Sequence, residues 1–167
     1  MKKHNIFIRW ITIGTLFSIF SAFSNNENKV DKNTYPWSIG KENKFVFNSR
    51  DGLTLTLKKR TLTPAGATFI YKNEGTDIVY FGTKYFLQIY LDEKWFNMVS
   101  STFWTLELIR LNPGEEAELP IDWSNFYGDL PPGNYRFIKE FHVSEPLGEL
   151  RYVNYPFMIN GNQRKYH

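Results

Sequence analysis

Apolar and polar residues alternate along much of the chain after residue 52, and this period of two predicts β-strands. In the segment LTLTLKK, Leu53, Leu55 and Leu57 share one face and the threonines share the other, as in a strand with one buried side. Similar β-favouring runs follow at residues 67–73, 78–81, 84–91, 95–99, 104–111, 116–123, 133–143 and 151–159. No segment shows a long 3.6-residue period, so the pattern predicts an all-β fold.

Short turn motifs separate these segments. TPAG, NEGT, DEK and NPGE contain the Gly, Pro, Asn and Asp residues that reverse a chain. Short strands joined by such turns are typical of a β-sandwich or barrel. We therefore predict one domain over residues 49–160, built of about 7–9 antiparallel strands without a disulfide.

Two predicted strands carry charged residues among their apolar ones. In GNYRFIKEFHV, one face holds Tyr135, Phe137, Lys139 and Phe141, and the other holds Arg136, Ile138, Glu140 and His142. In WTLELIRL, the alternation sets Trp104, Leu106 and Leu108 against Glu107 and Arg110. The sequence leaves the register of this second strand open.

The first 24 residues have the pattern of a secretory signal. Lys2, Lys3 and Arg9 form a basic start, and the segment ITIGTLFSIFSAF at residues 11–23 is uncharged. This segment is shorter than the ~20 residues that a membrane-spanning helix needs, which favours cleavage after Ser24 over a retained anchor. The protein is therefore expected outside the cytoplasm, secreted or in the cell envelope, and to contact the membrane only through an uncleaved signal segment.

No lipid anchor is expected at the end of this signal. The segment FSAFSNN has the small residues that precede the lipidated cysteine of bacterial lipoproteins, but Phe23 stands where that cysteine is expected. The chain has no cysteine at all, which also excludes disulfides and thiolate metal ligands.

Polar segments flank the predicted domain. Residues 25–48, which include NNENKVDKN, are predicted to be a flexible linker, and residues 161–167 a polar tail. The formal charge of +3 comes from the signal, because removing its three basic residues from the total of 20 leaves 17, which equals the number of acidic residues. Nucleic acid is not an expected partner, since its binding needs a basic surface.

Histidine chemistry has little support in the sequence. A Ser–His–Asp triad would need His142 beside one of four serines, and no nucleophile motif accompanies Ser100, Ser101, Ser124 or Ser144. Glu140, His142 and Glu145 could form a metal site, but a solvated strand face is the better interpretation of so few ligands.

Acidic and glycine-rich motifs also give no catalytic site. Asp122 and Asp129 flank the loop WSNFYG as the acids of a glycosidase could, but acids beside turns usually cap the chain or face solvent. No glycine-rich phosphate loop is present. We therefore predict no catalytic residue, no metal site and no cofactor, and hence a protein that is not an enzyme.

Aromatic residues make up 18% of the chain, and a sandwich without disulfides needs most of them in its core. Loops at the ends of a sandwich often carry binding residues. If one surface binds a ligand, the loop WSNFYGD is the candidate, and Trp123, Phe126 and Tyr127 are its proposed ligand-binding residues.

The segment LPPGNY resembles the tyrosine corner of immunoglobulin-like and fibronectin-like sandwiches, in which a tyrosine hydroxyl bonds to the main chain a few residues upstream. Two prolines fix an extended approach to the strand, and Gly133 relieves the tight turn. Leu130, Gly133 and Tyr135 are thus predicted to be structural corner residues.

A broader resemblance covers residues 50–142. GATFIYKN, YFGTKYFLQI, KWF, LNPGEE and DWSNFYGDLPPGNYRFIK together resemble a bacterial immunoglobulin-like domain family. That family occurs in secreted proteins and lipoproteins of Gram-positive bacteria and has no assigned biochemical activity. The resemblance implies an immunoglobulin-like β-sandwich at the cell envelope and implies no catalytic residue.

The leading functional hypothesis is an exported, non-enzymatic interaction or accessory module whose partner is an unidentified protein or a cell-wall component. Two alternatives stay open. A protease inhibitor could present the proline-stiffened turn GDLPPGN to an active site, and a carbohydrate-binding module could stack sugars on exposed rings.

Overall fold

Ten β-strands and one helical turn form the secondary structure of residues 37–42, 45–47, 52–101, 103–105 and 107–161, which the computed structural model describes. The strands are β1 Trp37–Glu42, β2 Leu53–Leu57, β3 Gly66–Asn73, β4 Val79–Phe81, β5 Tyr85–Leu91, β6 Lys94–Ser100, β7 Ile109–Leu111, β8 Glu116–Asp122, β9 Gly133–Val143 and β10 Leu150–Ile159. The helix α1 spans Ser124–Tyr127. No helix in these ranges is long and apolar enough to cross a membrane.

The strands form two antiparallel sheets. In the large sheet, β9 is central: it pairs with β10 along one side and with β4 and β5 along the other, and β6, β1 and β7 extend the sheet outward. The small sheet has the order β2–β3–β8. This architecture confirms the predicted all-β, immunoglobulin-like sandwich.

Stacked aromatic rings fill the space between the sheets. Phe69 of β3 stacks on Phe137 of β9, with ring centroids 4.3 Å apart. Tyr71 of β3 stacks on Phe81 of β4 at 5.0 Å. All four rings are buried, and such rings contribute both apolar area and packing geometry to a core. The core thus accounts for much of the aromatic content of the chain.

The large sheet contains a break between β4 and β5, which the sequence predicts as two separate runs. Along one side of β9, Tyr80 pairs with His142 and Tyr85 with Lys139, so residues 81–84 stand opposite residues 140–141. The neighbouring strands β6 and β7 are separated at the same level, where residues 101, 103–105, 107 and 108 belong to no strand. Extra residues of this kind bend a sheet and release backbone groups from its ladder.

The strand count exceeds the predicted range because β1 lies within the predicted linker. Residues 78–91 form two strands as predicted, β4 and β5, one on either side of the break. The predicted strand over residues 104–111 is wrong for most of its length, since only Ile109–Leu111 is a strand among the described residues of this range. Glu107 and Leu108 are both exposed. The alternation of apolar and polar residues there therefore gives no buried strand face.

The predicted linker over residues 25–48 is wrong in its later part. Trp37–Glu42 forms β1 and pairs with β6 at the edge of the large sheet. Trp37 is buried, and burial of so large a ring offsets the ordering cost of a terminal strand. The predicted signal, Ser24, the earlier linker and residues 162–167 of the predicted tail lie outside the described residues.

A hydrogen bond closes the segment before β9. The hydroxyl of Tyr135 donates to the carbonyl of Pro131 at 2.8 Å, and Leu130 is buried beside them. Gly133 lies against the Tyr135 ring, where an added Cβ would come within 3.3 Å of it. These contacts have the form of a tyrosine corner.

We expect Tyr135→Phe to lower the free energy of unfolding by about 1–2 kcal/mol, because the ring stays buried while the hydrogen bond is lost. Urea denaturation followed by circular dichroism measures this loss. An unchanged denaturation midpoint would show that the hydroxyl does not stabilise the corner.

Candidate functional site

The structure places two of the three proposed ligand-binding rings in the core. Trp123 is 0% exposed and Tyr127 is 3% exposed, whereas Phe126 is half-buried. A buried ring offers no face to a sugar or peptide. The predicted three-ring platform is therefore corrected to one accessible ring, Phe126.

Trp123 is buried because the chain after β8 folds onto the turn before β3. Its indole N–H donates to the Pro64 carbonyl at 2.7 Å, and its ring stacks on Phe157 of β10 at 5.3 Å. The backbone N–H of Trp123 also donates to Ala65, at 3.0 Å. These bonds hold helix α1 so that Phe126, in its middle, faces the gap between the sheets.

A pocket of about 350 Å³ opens at the break in the large sheet, and we call it the inter-sheet pocket. The large sheet and its break contribute Lys139, Ile109, Gly82 and Thr83, and the small sheet contributes Tyr71, Leu119 and Ile121. This volume lies within the range of small-molecule sites, which are mostly apolar with a few polar groups.

Three rings surround the mouth of this pocket, and we call Phe103, Trp104 and Phe126 the aromatic rim. The Trp104 ring packs edge-on against Tyr85, with ring centroids 4.8 Å apart, and in a tilted arrangement against Phe126 at 5.6 Å. Phe103 is 86% exposed. The Thr83 hydroxyl holds this segment to the break by donating to the Thr105 carbonyl at 3.1 Å.

Lys139 lies inside the pocket and is only 2% exposed. Its ammonium group donates to the carbonyls of Gly82 and Lys84, the latter at 2.7 Å, and lies 5.4 Å from the centre of the Phe81 ring. Both carbonyls belong to the break, so the lysine satisfies acceptors outside the strands. Burial lowers the pKa of Lys139 to about 8.

Tyr71 is the second polar group inside the pocket. Its side chain is fully buried, and its hydroxyl has no hydrogen-bond partner among the described residues. Burial also raises the pKa of this hydroxyl, so that Tyr71 stays neutral. A buried hydroxyl without a partner is costly, which makes this atom a candidate ligand contact.

The other candidate groups are used within the fold. His142 Nδ1 lies 2.8 Å from the Gly148 carbonyl, and Glu140 forms an ion pair with Lys84 at 3.1 Å. No cluster of metal-ligating side chains occurs among the residues the structure describes. The imagined metal site over Glu140, His142 and Glu145 therefore gains no support.

The two acids near the aromatic loop have separate surroundings. The Asp122 carboxylate accepts the backbone N–H of Ser124 at 2.8 Å and the Ser124 hydroxyl at 2.6 Å. Asp122 thus stabilises the start of α1, while Asp129 is exposed. In the turn GDLPPGN, the N–H of Leu130 donates to Pro64, and this bond anchors the turn to the domain.

The sequence missed the residues that define the pocket. The sequence shows Lys139 on an aromatic strand face. Its hydrogen-bond acceptors are the backbone carbonyls of Gly82 and Lys84, which are distant in sequence and cannot be identified from a local pattern. Trp104 was expected on a strand. The one usable signal was that a lysine rarely occupies a core position without a partner.

Comparison with known proteins agrees with the fold. No curated protein matches this chain. The model of a family described as bacterial Ig-like domain matches residues 49–154, a span that includes β2 to β9 and the inter-sheet pocket. Because this match covers more than half of the chain, the protein belongs to the bacterial Ig-like domain family.

Proposed function

We propose that this protein is an exported, non-enzymatic interaction module at the bacterial cell surface. Its partner is a protein or a cell-wall component, and the aromatic rim of the inter-sheet pocket is the contact surface. Bacterial Ig-like domains are often found in extracellular proteins, and membership of this family suggests an accessory module.

The exposed rim is the observation that carries the proposal. Phe103 is 86% exposed and lines the same pocket as the half-buried rings of Trp104 and Phe126. A cluster of accessible rings around a pocket is typical of binding surfaces, where aromatic residues supply much of the contact energy. Because the rim lies outside the paired strands, its ring residues can contact a partner without taking part in the hydrogen bonds of the sheet.

The location is tested by fractionating cells that express the full chain and measuring the intact mass of the product. We expect the protein in the medium or the envelope fraction, with a mass that corresponds to cleavage after Ser24. Detection of the uncleaved protein only in the cytosol would overturn the proposed location.

The contact surface is tested with a matched pair of variants. Phe103→Ser removes an exposed ring from the rim, and Leu147→Ser removes an apolar side chain that is 93% exposed on the β9–β10 connection. Neither change should affect folding by more than about 0.5 kcal/mol. We expect Phe103→Ser to reduce retention on isolated cell envelopes and Leu147→Ser to retain it.

Equal retention of the two variants would remove the aromatic rim as the contact surface. Denaturation midpoints of both variants serve as the control for folding. If retention falls equally in both variants, non-specific apolar adhesion is the explanation and the proposed surface is rejected.

A further inference from the structure

The inter-sheet pocket contains a buried positive charge without a counter-ion. Lys139 forms no ion pair with any described acidic residue, and its ammonium group donates hydrogen bonds to two neutral carbonyls. The nearest acid in the chain, Glu140, is paired with Lys84 instead. Buried charges in proteins are usually paired, so the pocket lacks one negative group.

The hydrogen-bonding capacity inside the pocket is also incomplete. A protonated lysine has three N–H donors, and two of them are used by Gly82 and Lys84. The buried Tyr71 hydroxyl has no hydrogen-bond partner among the described residues. Tyr71 and Lys139 both lie against the Phe81 ring, so the two unused donors belong to one region of the pocket.

The mouth of the pocket has a different chemistry. Trp104 and Phe126 are half-buried there with their rings 5.6 Å apart, and Leu119 and Ile121 form the wall from the small sheet. Flat apolar groups pack well against such rings. The pocket thus combines two donors inside with an apolar, aromatic entrance.

We propose that the inter-sheet pocket binds an aromatic carboxylate, with the carboxylate between Lys139 and Tyr71 and the ring against the aromatic rim. This inference rests on the proposed function and specifies the chemistry of its contact. The carboxylate supplies the missing counter-charge and accepts from both unused donors, which makes its hydrogen bonds charge-assisted. The ligand is either a free small acid or the carboxyl end of a chain that finishes in an aromatic residue.

The other ionisable groups around the pocket fit this assignment. Asp122 lies at the wall, with its carboxylate bonded to Ser124, and Glu107 is exposed, where solvent and salt screen its charge. Tyr85 is buried, and burial raises its pKa. Lys84 and Glu140 neutralise each other.

The test titrates the full chain, labelled with ¹⁵N, with phenylacetate and with the neutral phenylacetamide. We expect phenylacetate to shift the indole signal of Trp104 and the amide signals of Gly82 and Thr83, and to bind at least about tenfold more tightly than the amide. A peptide with a free carboxyl-terminal Phe, compared with its amidated form, distinguishes a chain end from a free acid. Affinity for phenylacetate should fall as the pH rises through about 8, because Lys139 loses its proton there.

Two variants keep the proposal falsifiable. Lys139→Met should weaken phenylacetate binding at least about tenfold and remove its pH dependence, and Tyr71→Phe should weaken it about threefold or more. The control is Leu147→Ser, which is remote from the pocket lining. If Lys139→Met does not fold, the proposal is tested by the affinity of Tyr71→Phe for phenylacetate and by the comparison of phenylacetate with phenylacetamide.

The proposal is overturned if phenylacetate causes no shifts, if phenylacetamide binds equally, or if Tyr71→Phe binds like the wild type. The first of these results would mean that only water fills the pocket. None of them bears on envelope retention through Phe103, so the proposed function can stand while this inference fails.

Discussion

Replacing Trp123 by alanine is expected to lower the free energy of unfolding by about 4 kcal/mol. Trp123 is fully buried, stacks on Phe157 and donates to the Pro64 carbonyl, and removal of so large a core ring leaves a cavity. Pro64 keeps one bond, from the N–H of Leu130 at 2.9 Å, so most of the loss comes from packing. Urea denaturation with near-ultraviolet circular dichroism measures it.

Two controls separate the causes of this loss. Trp123→Phe keeps an aromatic ring in the core but removes the indole N–H, and a loss of about 1–2 kcal/mol is expected. Phe103→Ala changes an exposed ring and should alter stability by less than about 0.5 kcal/mol. If Trp123→Ala costs no more than Phe103→Ala, the Trp123 ring is not part of the core, and the proposed platform must be reconsidered.

The free energy of unfolding should rise as the pH increases from about 7 to about 9.5. An ordinary lysine side chain has a pKa of 10.5, and burial in the folded protein lowers the pKa of Lys139 to about 8. Between these values the unfolded chain binds one proton more than the folded chain, and raising the pH therefore favours folding. We expect a gain of about 2 kcal/mol between about pH 7 and pH 9.5.

The comparison that isolates this effect is wild type against Lys139→Met at each pH. Burial raises the pKa values of Tyr71, Tyr85 and Tyr127, so ionisation of unfolded tyrosines reduces stability near and above about pH 10 in both proteins. The difference between the two proteins then reports Lys139 alone. A difference that does not change with pH would mean that the folded-state pKa of Lys139 is close to its ordinary value.

Hydrogen bonds at the break survive deprotonation of Lys139. A neutral amine keeps two N–H donors, enough for the carbonyls of Gly82 and Lys84. The fold is therefore expected to stay intact across this pH range, while the third donor, which the proposed ligand needs, is lost.

Local alternation was sufficient to predict most of the sandwich. The leucines of β2 and the aromatic face of β9 follow the period of two because each strand has one face against the core. The corner before β9 was also visible, since prolines restrict the backbone locally and glycine permits a tight turn. These features depend on interactions between residues close in sequence.

The candidate site depends on distant pairing and could not be predicted in this way. Trp123 directly follows β8 and is flanked by Asp122 and Ser124, which suggested an exposed loop, yet Pro64 and Phe157 contact it in the core. The pocket lies where residues 82–84 and the described residues between β6 and β7 are outside the strands. The first gap was visible in the sequence, but the second gap and the pairing that places the two side by side were not, because strand register is fixed by the facing strands.

The break also divides this part of the large sheet into two separately paired strand pairs. β4 and β7 pair on one side of it and β5 and β6 on the other, so each half keeps its own ladder. Residues 101–108 can therefore differ in length and composition between related domains without disturbing either ladder, since insertions outside paired strands are well tolerated. The inter-sheet pocket could therefore change its ligand preference by exchange of this one short segment, while the strands of the domain stay the same.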